Sequence, residues 1–338
     1  MSAVDITAVS GRRFSAGLRV HCEVTLTTSG FRMAALRVSG ILKRLAAALV
    51  PALALSAGAQ QATGQVPEQR QIAVPSEPVS FTIGADTLRG RLYVTRAAMP
   101  LATLVLVPGF GGTTGDVLEL GIRLAARDVN VLVFNNRGAQ ESQGTLTIAN
   151  ALDDAAAAIA WLRSPAVRTR LGADPSRIVL GGHSFGGTVA ILHAARDTGV
   201  RRVLAIAGAD HATYARRMRE EPGYREALLG RLSGARRPDG PVTFDPGMVI
   251  EDLLANETRY AHPPLAPRFA GRAVLLVGGW EDQTCVVERE VIPFFRALRA
   301  VSGVDASIAT YTDGHGFARS RAQLAEEVHA WLERTTPR

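Results

Sequence analysis

The sequence predicts an α/β fold: a mostly parallel eight-stranded sheet with helices on both faces and a helical cap insertion. Three observations predict it. Short apolar runs alternate with helix-length segments from about residue 79 onward. The first two runs flank a turn rather than a helix. One stretch, about 210–265, breaks the alternation with two helical pieces in succession.

Taken in order, Phe81-Thr82-Ile83 and Leu88–Val94 flank Gly84-Ala85-Asp86 and read as a hairpin. Then come Thr103–Val107, Val129–Phe134, Arg177–Leu180, Arg202–Ala207, Ala273–Val277 and Ala306–Thr310. Each is apolar throughout or nearly so, the pattern of parallel strands buried on both faces. Asp116–Arg127, Ala149–Leu162, Thr188–Arg196, Val286–Arg299 and Arg321–Glu333 read as the helices between and after them. In such sheets reactive groups gather at the carboxyl ends of the strands. Asp210–Leu232 and Met248–Tyr260 read as helices of the insertion, either a cap over that edge or an ordinary surface pair.

The 338 residues carry a net charge of +7, but the excess sits at one end. Residues 1–59 hold seven of the 38 basic residues and two of the 31 acidic ones, leaving a nearly balanced remainder. Every basic residue except Lys43 is arginine, and no basic run interleaved with aromatics occurs, so a nucleic-acid partner is not indicated. Arg37, Lys43 and Arg44 precede the apolar stretch Leu45–Leu55 and then Ala57-Gly58-Ala59, the three parts of a secretory signal peptide. That stretch is too short for a membrane span, which needs about 20 residues. Residues 1–32 are therefore expected to be a mis-annotated extension upstream of a true start at Met33, 33–59 the signal peptide, and 60–78 a linker. Residues 79–338 are the catalytic domain, and the protein is exported to the periplasm or medium. Cys22 lies in the extension, so Cys285 is left without a disulfide partner.

Between the run Arg177–Leu180 and the helix after it stands Gly182-His183-Ser184-Phe185-Gly186. This G-x-S-x-G, placed between strand and helix, is the context of a nucleophile elbow, in which a sharp turn exposes the serine hydroxyl. No G-K-[ST] follows, which argues against a phosphate loop. A serine needs a base and a carboxylate to orient that base. Of the seven histidines, His315 lies in a polar loop, Thr312–Phe317, between the last strand and the last helix, with glycine on both sides. His183 reads as packed, His193 and His329 as helical and structural, His211 as a pocket candidate, and His262 as part of the cap. Glu281 and Asp282 both follow the penultimate strand. With Asp282 the chain order becomes Ser184, Asp282, His315, the order typical of this architecture. The backbone amides of Phe185 and of Phe110, in Pro108–Gly112, are the expected oxyanion donors.

At these residues the chain resembles the α/β-hydrolase family. Pro108–Gly112, Asn136-Arg137-Gly138, the elbow, Asp282 and His315-Gly316-Phe317 carry the resemblance, which runs from about Val79 to the C-terminus. Within the family, the hairpin, Asp174–Ile178 and the His-Gly-Phe ending resemble dienelactone-hydrolase-like esterases and the catalytic domain of prolyl oligopeptidases. The resemblance implies a catalytic triad of Ser184, Asp282 and His315 and no cofactor; no metal ligands are singled out. Two departures stand out: Pro108-Gly109 replaces the usual His-Gly, and Asn136 stands where an acidic residue often precedes Arg-Gly. Arg137 is expected to form a structural ion pair with Asp153 or Asp154.

The function expected is an exported serine hydrolase acting on a small-molecule carboxylic ester. A serine peptidase or acyltransferase would use the same machinery, and a non-catalytic binding module is the alternative of a different class. Oligomeric state and the substrate-binding residues stay open. The cap's apolar groups, Tyr214, Met218, Tyr224, Leu228, Leu229, Met248, Leu253 and Leu254, either line an entrance or pack the cap down. Arg216, Arg217, Arg219 and Arg225 are candidates for favouring acidic substrates. Mass spectrometry of the exported protein should find a mature N-terminus near Gln60; a retained Met1 peptide would refute the leader.

Overall fold

The computed structural model describes residues 74–336. The extension, the signal peptide, Cys22 and all but the end of the linker lie outside them. Strands β1 (Ser76–Ile83) and β2 (Asp86–Tyr93) form the opening hairpin, so the last linker residues are already strand. β3 (Ala102–Val107), α1 (Leu120–Ala125), β4 (Val129–Phe134), α2 (Ile148–Arg163) and α3 (Pro165–Leu171) follow. Next are β5 (Ile178–His183), α4 (Phe185–Arg196) and β6 (Arg202–Ile206), then the insertion with α5 (His211–Glu220), α6 (Tyr224–Ala235), α7 (Pro246–Ala255) and α8 (Glu257–Tyr260). β7 (Ala273–Gly279), a π-helical turn at Val287–Val291, α9 (Ile292–Arg299), β8 (Asp305–Tyr311) and α10 (Arg321–Thr335) complete the chain.

The strands form one eight-stranded sheet in the order β1-β2-β4-β3-β5-β6-β7-β8. Only the pairs β1–β2 and β2–β4 are antiparallel. Every residue of β3 and β4 is buried, as expected of strands covered on both faces. α1 and α10 pack together, whereas α2 packs on α4, and both α4 and α9 touch the 3₁₀ segment Pro263–Phe269. Among the described residues, no helix is long and apolar enough to cross a membrane.

Some elements differ from the sequence reading, each for a local reason. α1 begins late because Leu118 and Glu119 are left-handed, at φ 53° and 61°. Asp116 instead accepts from the amides of Gly121 at 2.7 Å and Ile122 at 2.9 Å. α3 went unread although its signals are in the chain: Pro165 opens it and Gly172 closes it at φ 61°. Asp210–Leu232 is two helices, broken at Pro222 and at Gly223, which sits at φ 76°.

Of the two partners proposed for Arg137, the structure selects Asp154. Arg137 Nε donates to Asp154 Oδ1 at 2.6 Å and its backbone amide to Oδ2 at 2.8 Å. Asp153 pairs with Arg196 instead. The Asp154 side chain is fully buried, so removing it would strand a mostly buried guanidinium. We predict that Asp154→Ala costs about 3 kcal/mol of unfolding free energy in urea titration. The double change Arg137→Met/Asp154→Leu should restore most of it, and equal losses for both variants would refute the pairing argument.

Candidate active site

The elbow explains its own glycines. Ser184 sits at φ 56°, ψ −122°, a conformation costly for any residue with a side chain. A Cβ at position 182 would lie 2.2 Å from the Gly186 carbonyl carbon and oxygen, and one at position 186 would lie 2.0 Å from the Val107 oxygen. Neither site can carry a side chain. The turn is fastened by the Ser184 amide donating to Ile206 O at 2.8 Å. The Ser184 hydroxyl therefore stands at the tip of β5, directly before the first amide of α4.

The structure brings together the three residues singled out from the sequence. His315 Nε2 lies 2.9 Å from Ser184 Oγ, and His315 Nδ1 lies 2.7 Å from Asp282 Oδ2. Asp282 is almost wholly buried, and its Oδ1 accepts from the amides of Thr284 at 2.7 Å and Cys285 at 2.9 Å. Burial alone would raise its pKa, but the bonds from His315, Cys285 and Thr284 outweigh it and hold the carboxyl below its ordinary value. An ionised carboxylate only accepts, so His315 Nδ1 carries a proton and Nε2 is left to accept from the serine. Glu281, the other carboxylate at this turn, is half exposed and pairs with Arg319.

The loop that carries His315 is held by a side chain the sequence reading passed over. Asp313 Oδ1 accepts from Gly314 N at 2.8 Å, while Oδ2 accepts from Arg319 N at 2.8 Å and Ser320 Oγ at 2.9 Å. The Glu281 amide donates to Asp313 O at 3.0 Å, tying the turn of Asp282 to the loop of His315. His183 adds a second support: its Nε2 donates to the His315 carbonyl at 2.8 Å. Burial first, then the neighbouring His315, pushes the His183 pKa down to about 4, so the ring is neutral. No sequence signal marks that bond, because it joins residues far apart in the chain.

The turn Pro108–Gly112 is closed by Gly112 N donating to Gly109 O at 2.9 Å. A Cβ on Gly109 would lie 3.6 Å from Ser184 Cβ, which places this turn beside the serine. The Phe110 and Phe185 rings meet edge to face at 5.5 Å. The Phe185 amide opens α4 and belongs to its unsatisfied N-terminal donors.

Ser184 opens onto a cavity of about 290 Å³ that is mostly apolar. Phe110, Phe185, Leu146 and Ile148 line it. Of the cap residues named from the sequence, Tyr214, Leu228 and Leu253 line it, and Leu232 and Val249 join them. Tyr224, Met218 and Leu254 pack into the core instead, while Met248 and Leu229 are exposed. The cap arginines are a correction. Arg216 and Arg219 pair with Glu257 and Arg217 with Glu221, and none of these, nor Arg225, lines the cavity; Arg231 does. The other histidines are placed apart: His193 Nδ1 bonds Leu152 O at 2.9 Å, and His262 is fully buried. Among the described residues no group of three or more His, Cys, Asp or Glu is placed to hold a metal ion.

Compared with known proteins, the model of the Alpha/beta hydrolase family matches residues 104–334. Uncharacterized protein YfhR of Escherichia coli O157:H7 is 31% identical over 156 residues, covering 44% of this chain and 53% of that protein. Thiohydrolase apmlB of Arthrinium phaeospermum is 31% identical over 137 residues, covering 39% of this chain and 42% of that protein. The chain spans about half the length of these curated relatives. Among solved structures, an esterase of Pyrococcus furiosus aligns with a TM-score of 0.56 at 16% identity, over 78% of this chain and 92% of that one. At that identity the likeness shows the fold.

Three imidazoles at or behind the site are neutral when folded. Burial is the leading cause in each, lowering His183 to about 4 and His211 and His262 to about 3, from an ordinary 6.5. At these three groups the unfolded chain therefore binds more protons than the folded one below about pH 6.5. Their contribution to stability is fully present above that pH and is lost as pH falls towards the folded values. His262 tests this best, since neither ring nitrogen has a hydrogen-bond partner among the described residues. We predict that His262→Leu shrinks the loss of unfolding free energy between pH 8 and pH 5 by about 2 kcal/mol. Urea titrations at both pH values read this, and an unchanged loss would mean that His262 is charged when folded.

Proposed function

The chain belongs to the alpha/beta hydrolase family, and we propose that it is an exported serine hydrolase cleaving carboxylic esters through an acyl-enzyme. The observation that carries this reading is the hydrogen-bonded series Ser184–His315–Asp282, whose serine lines a mostly apolar cavity. Ser184 Oγ attacks the ester carbonyl while His315 Nε2 takes its proton. Asp282 keeps the imidazole in the right tautomer and stabilises it once charged. The amides of Phe110 and Phe185 receive the oxyanion, where each donor is worth roughly 10²–10³ in rate. His315 then hands the proton to the leaving alcohol, and a water repeats the sequence to release the acid.

The relative named a thiohydrolase supports hydrolysis as the reaction class. An ester is preferred to a peptide because the cavity beside Ser184 is small and mostly apolar, which suits an acyl chain. Export rests on the leader pattern of residues 37–59.

A fluorophosphonate probe should label the wild type and fail to label Ser184→Ala; a folded wild type that resists the probe would favour a binding module. Asp282→Asn should lose about 10⁴-fold in kcat. Glu281→Gln should keep near wild-type activity, because Glu281 faces Arg319 and not His315. The reverse pair of results would move the orienting carboxylate by one residue. Measured kcat/KM for p-nitrophenyl esters should exceed that for aminoacyl-anilides, and the opposite order would promote the peptidase.

A further inference from the structure

The wall of the cavity beside Ser184 contains a polar side chain that the proposed chemistry does not use. His211 lines the cavity, is 6% exposed, and lies next to the elbow: its ring stacks on Phe185 at 6.0 Å and on Tyr214 at 5.5 Å. Its Nδ1 is buried without a hydrogen-bond partner among the described residues. A buried polar atom left unpaired is costly, so its retention in a mostly apolar wall calls for a reason.

The ring is held in place. It follows Asp210, whose Oδ1 accepts from Ala212 N at 3.0 Å and whose own amide donates to Glu290 Oε2 at 3.0 Å. Thr213 Oγ1 lies 2.8 Å from the same carboxylate. Burial keeps the imidazole neutral. A neutral imidazole has one donor and one acceptor nitrogen, and no bond within the described residues fixes which is which. With Nδ1 sealed, Nε2 is the nitrogen left for a bound molecule, and it can either donate or accept. A hydroxyl group, which also does both, complements it in either tautomer.

We propose that His211 is a specificity-determining residue that selects esters whose acyl group carries a hydroxyl. This rests on the ester-hydrolase reading above. The acyl part is the relevant one because it stays bonded to Ser184 Oγ after the alcohol has left. A site built to hydrogen-bond a substrate hydroxyl disfavours the analogue that lacks it.

The test compares methyl hexanoate with methyl 2-, 3- and 6-hydroxyhexanoates and with 2-hydroxyethyl hexanoate, which moves the hydroxyl to the alcohol side. In the wild type, kcat/KM for at least one hydroxyacyl ester should exceed that for methyl hexanoate by about tenfold. In His211→Phe, which keeps the ring stack, the ratio should fall to about one, and His211→Gln should recover part of it. A ratio unchanged in His211→Phe, no preferred hydroxyacyl ester, or a preference only for the alcohol-side hydroxyl would overturn the proposal. Calorimetric binding of the same esters to Ser184→Ala, with and without His211→Phe, reads the subsite independently of turnover. Absence of turnover and of fluorophosphonate labelling in the wild type would count against the hydrolase reading alone. Equal binding of plain and hydroxylated acyl esters to Ser184→Ala would count against His211.

Discussion

The turn at Ser184 is the constraint on which the rest of the site depends. Positions 182 and 186 press against backbone so closely that only glycine fits at either, and Ser184 itself takes a left-handed conformation. Such a residue costs on the order of 1–3 kcal/mol and persists only where the surroundings hold it. Here the surroundings are β5 and α4, both almost entirely buried, with the Ser184 amide clamped to Ile206 O of the neighbouring strand. Each large side chain in that packing contributes about 1.5–3 kcal/mol, so a few of them offset the strain. Once the tip is fixed, the loops after β3, β7 and β8 need only reach it, and all three do.

Burial favours the neutral form of every ionisable group at the site, and hydrogen bonds decide which of them stays charged. Asp282 is as buried as the neighbouring histidines, yet three hydrogen-bond donors reach its carboxylate and keep it charged. His183 has one partner, a neutral carbonyl, while Nδ1 of His211 and of His262 has none among the described residues, so burial leaves all three uncharged. Among the described residues, His315 is therefore the one imidazole that faces an ionised carboxylate on one side and the hydroxyl of Ser184 on the other. The division of labour follows from where donors were placed, since burial is common to all of these groups.

Much of this was legible in the chain. Unbroken apolar runs mark strands covered on both faces, and the six after the hairpin were found with ends within three residues, whereas β1 begins at Ser76, five residues before the run read from the sequence. The glycine pair around Ser184, the glycines around His315 and the position of Asp282 after β7 picked out residues that now lie within hydrogen-bond distance. What stayed hidden depends on contacts between distant segments. Nothing local shows that His183 reaches the His315 carbonyl, or that Asp154 and not Asp153 turns towards Arg137. The cap arginines misled for a related reason: helix residues three or four apart find partners on their own helix or its neighbour, as Arg217 finds Glu221. Arg231 faces the cavity because α6 turns that way, and α6 has almost no amphipathic pattern from which its orientation could be read.

The cap is anchored at its root by the other irregular turn. A π-helical turn at Val287–Val291 carries Glu290 inward, where its buried carboxylate meets the amide of Asp210 and the hydroxyl of Thr213. Such turns re-aim one side chain at the expense of regular pairing. The residue between those two contacts in the chain is His211, followed by Ala212, so the same clamp that starts α5 also sets the imidazole against Phe185. One wall of the cavity is thus fixed to the helix behind β7 rather than to the remainder of the cap. Movement of α6 and α7 would change how wide the cavity opens, while Ser184, Phe185 and His211 would keep their mutual positions.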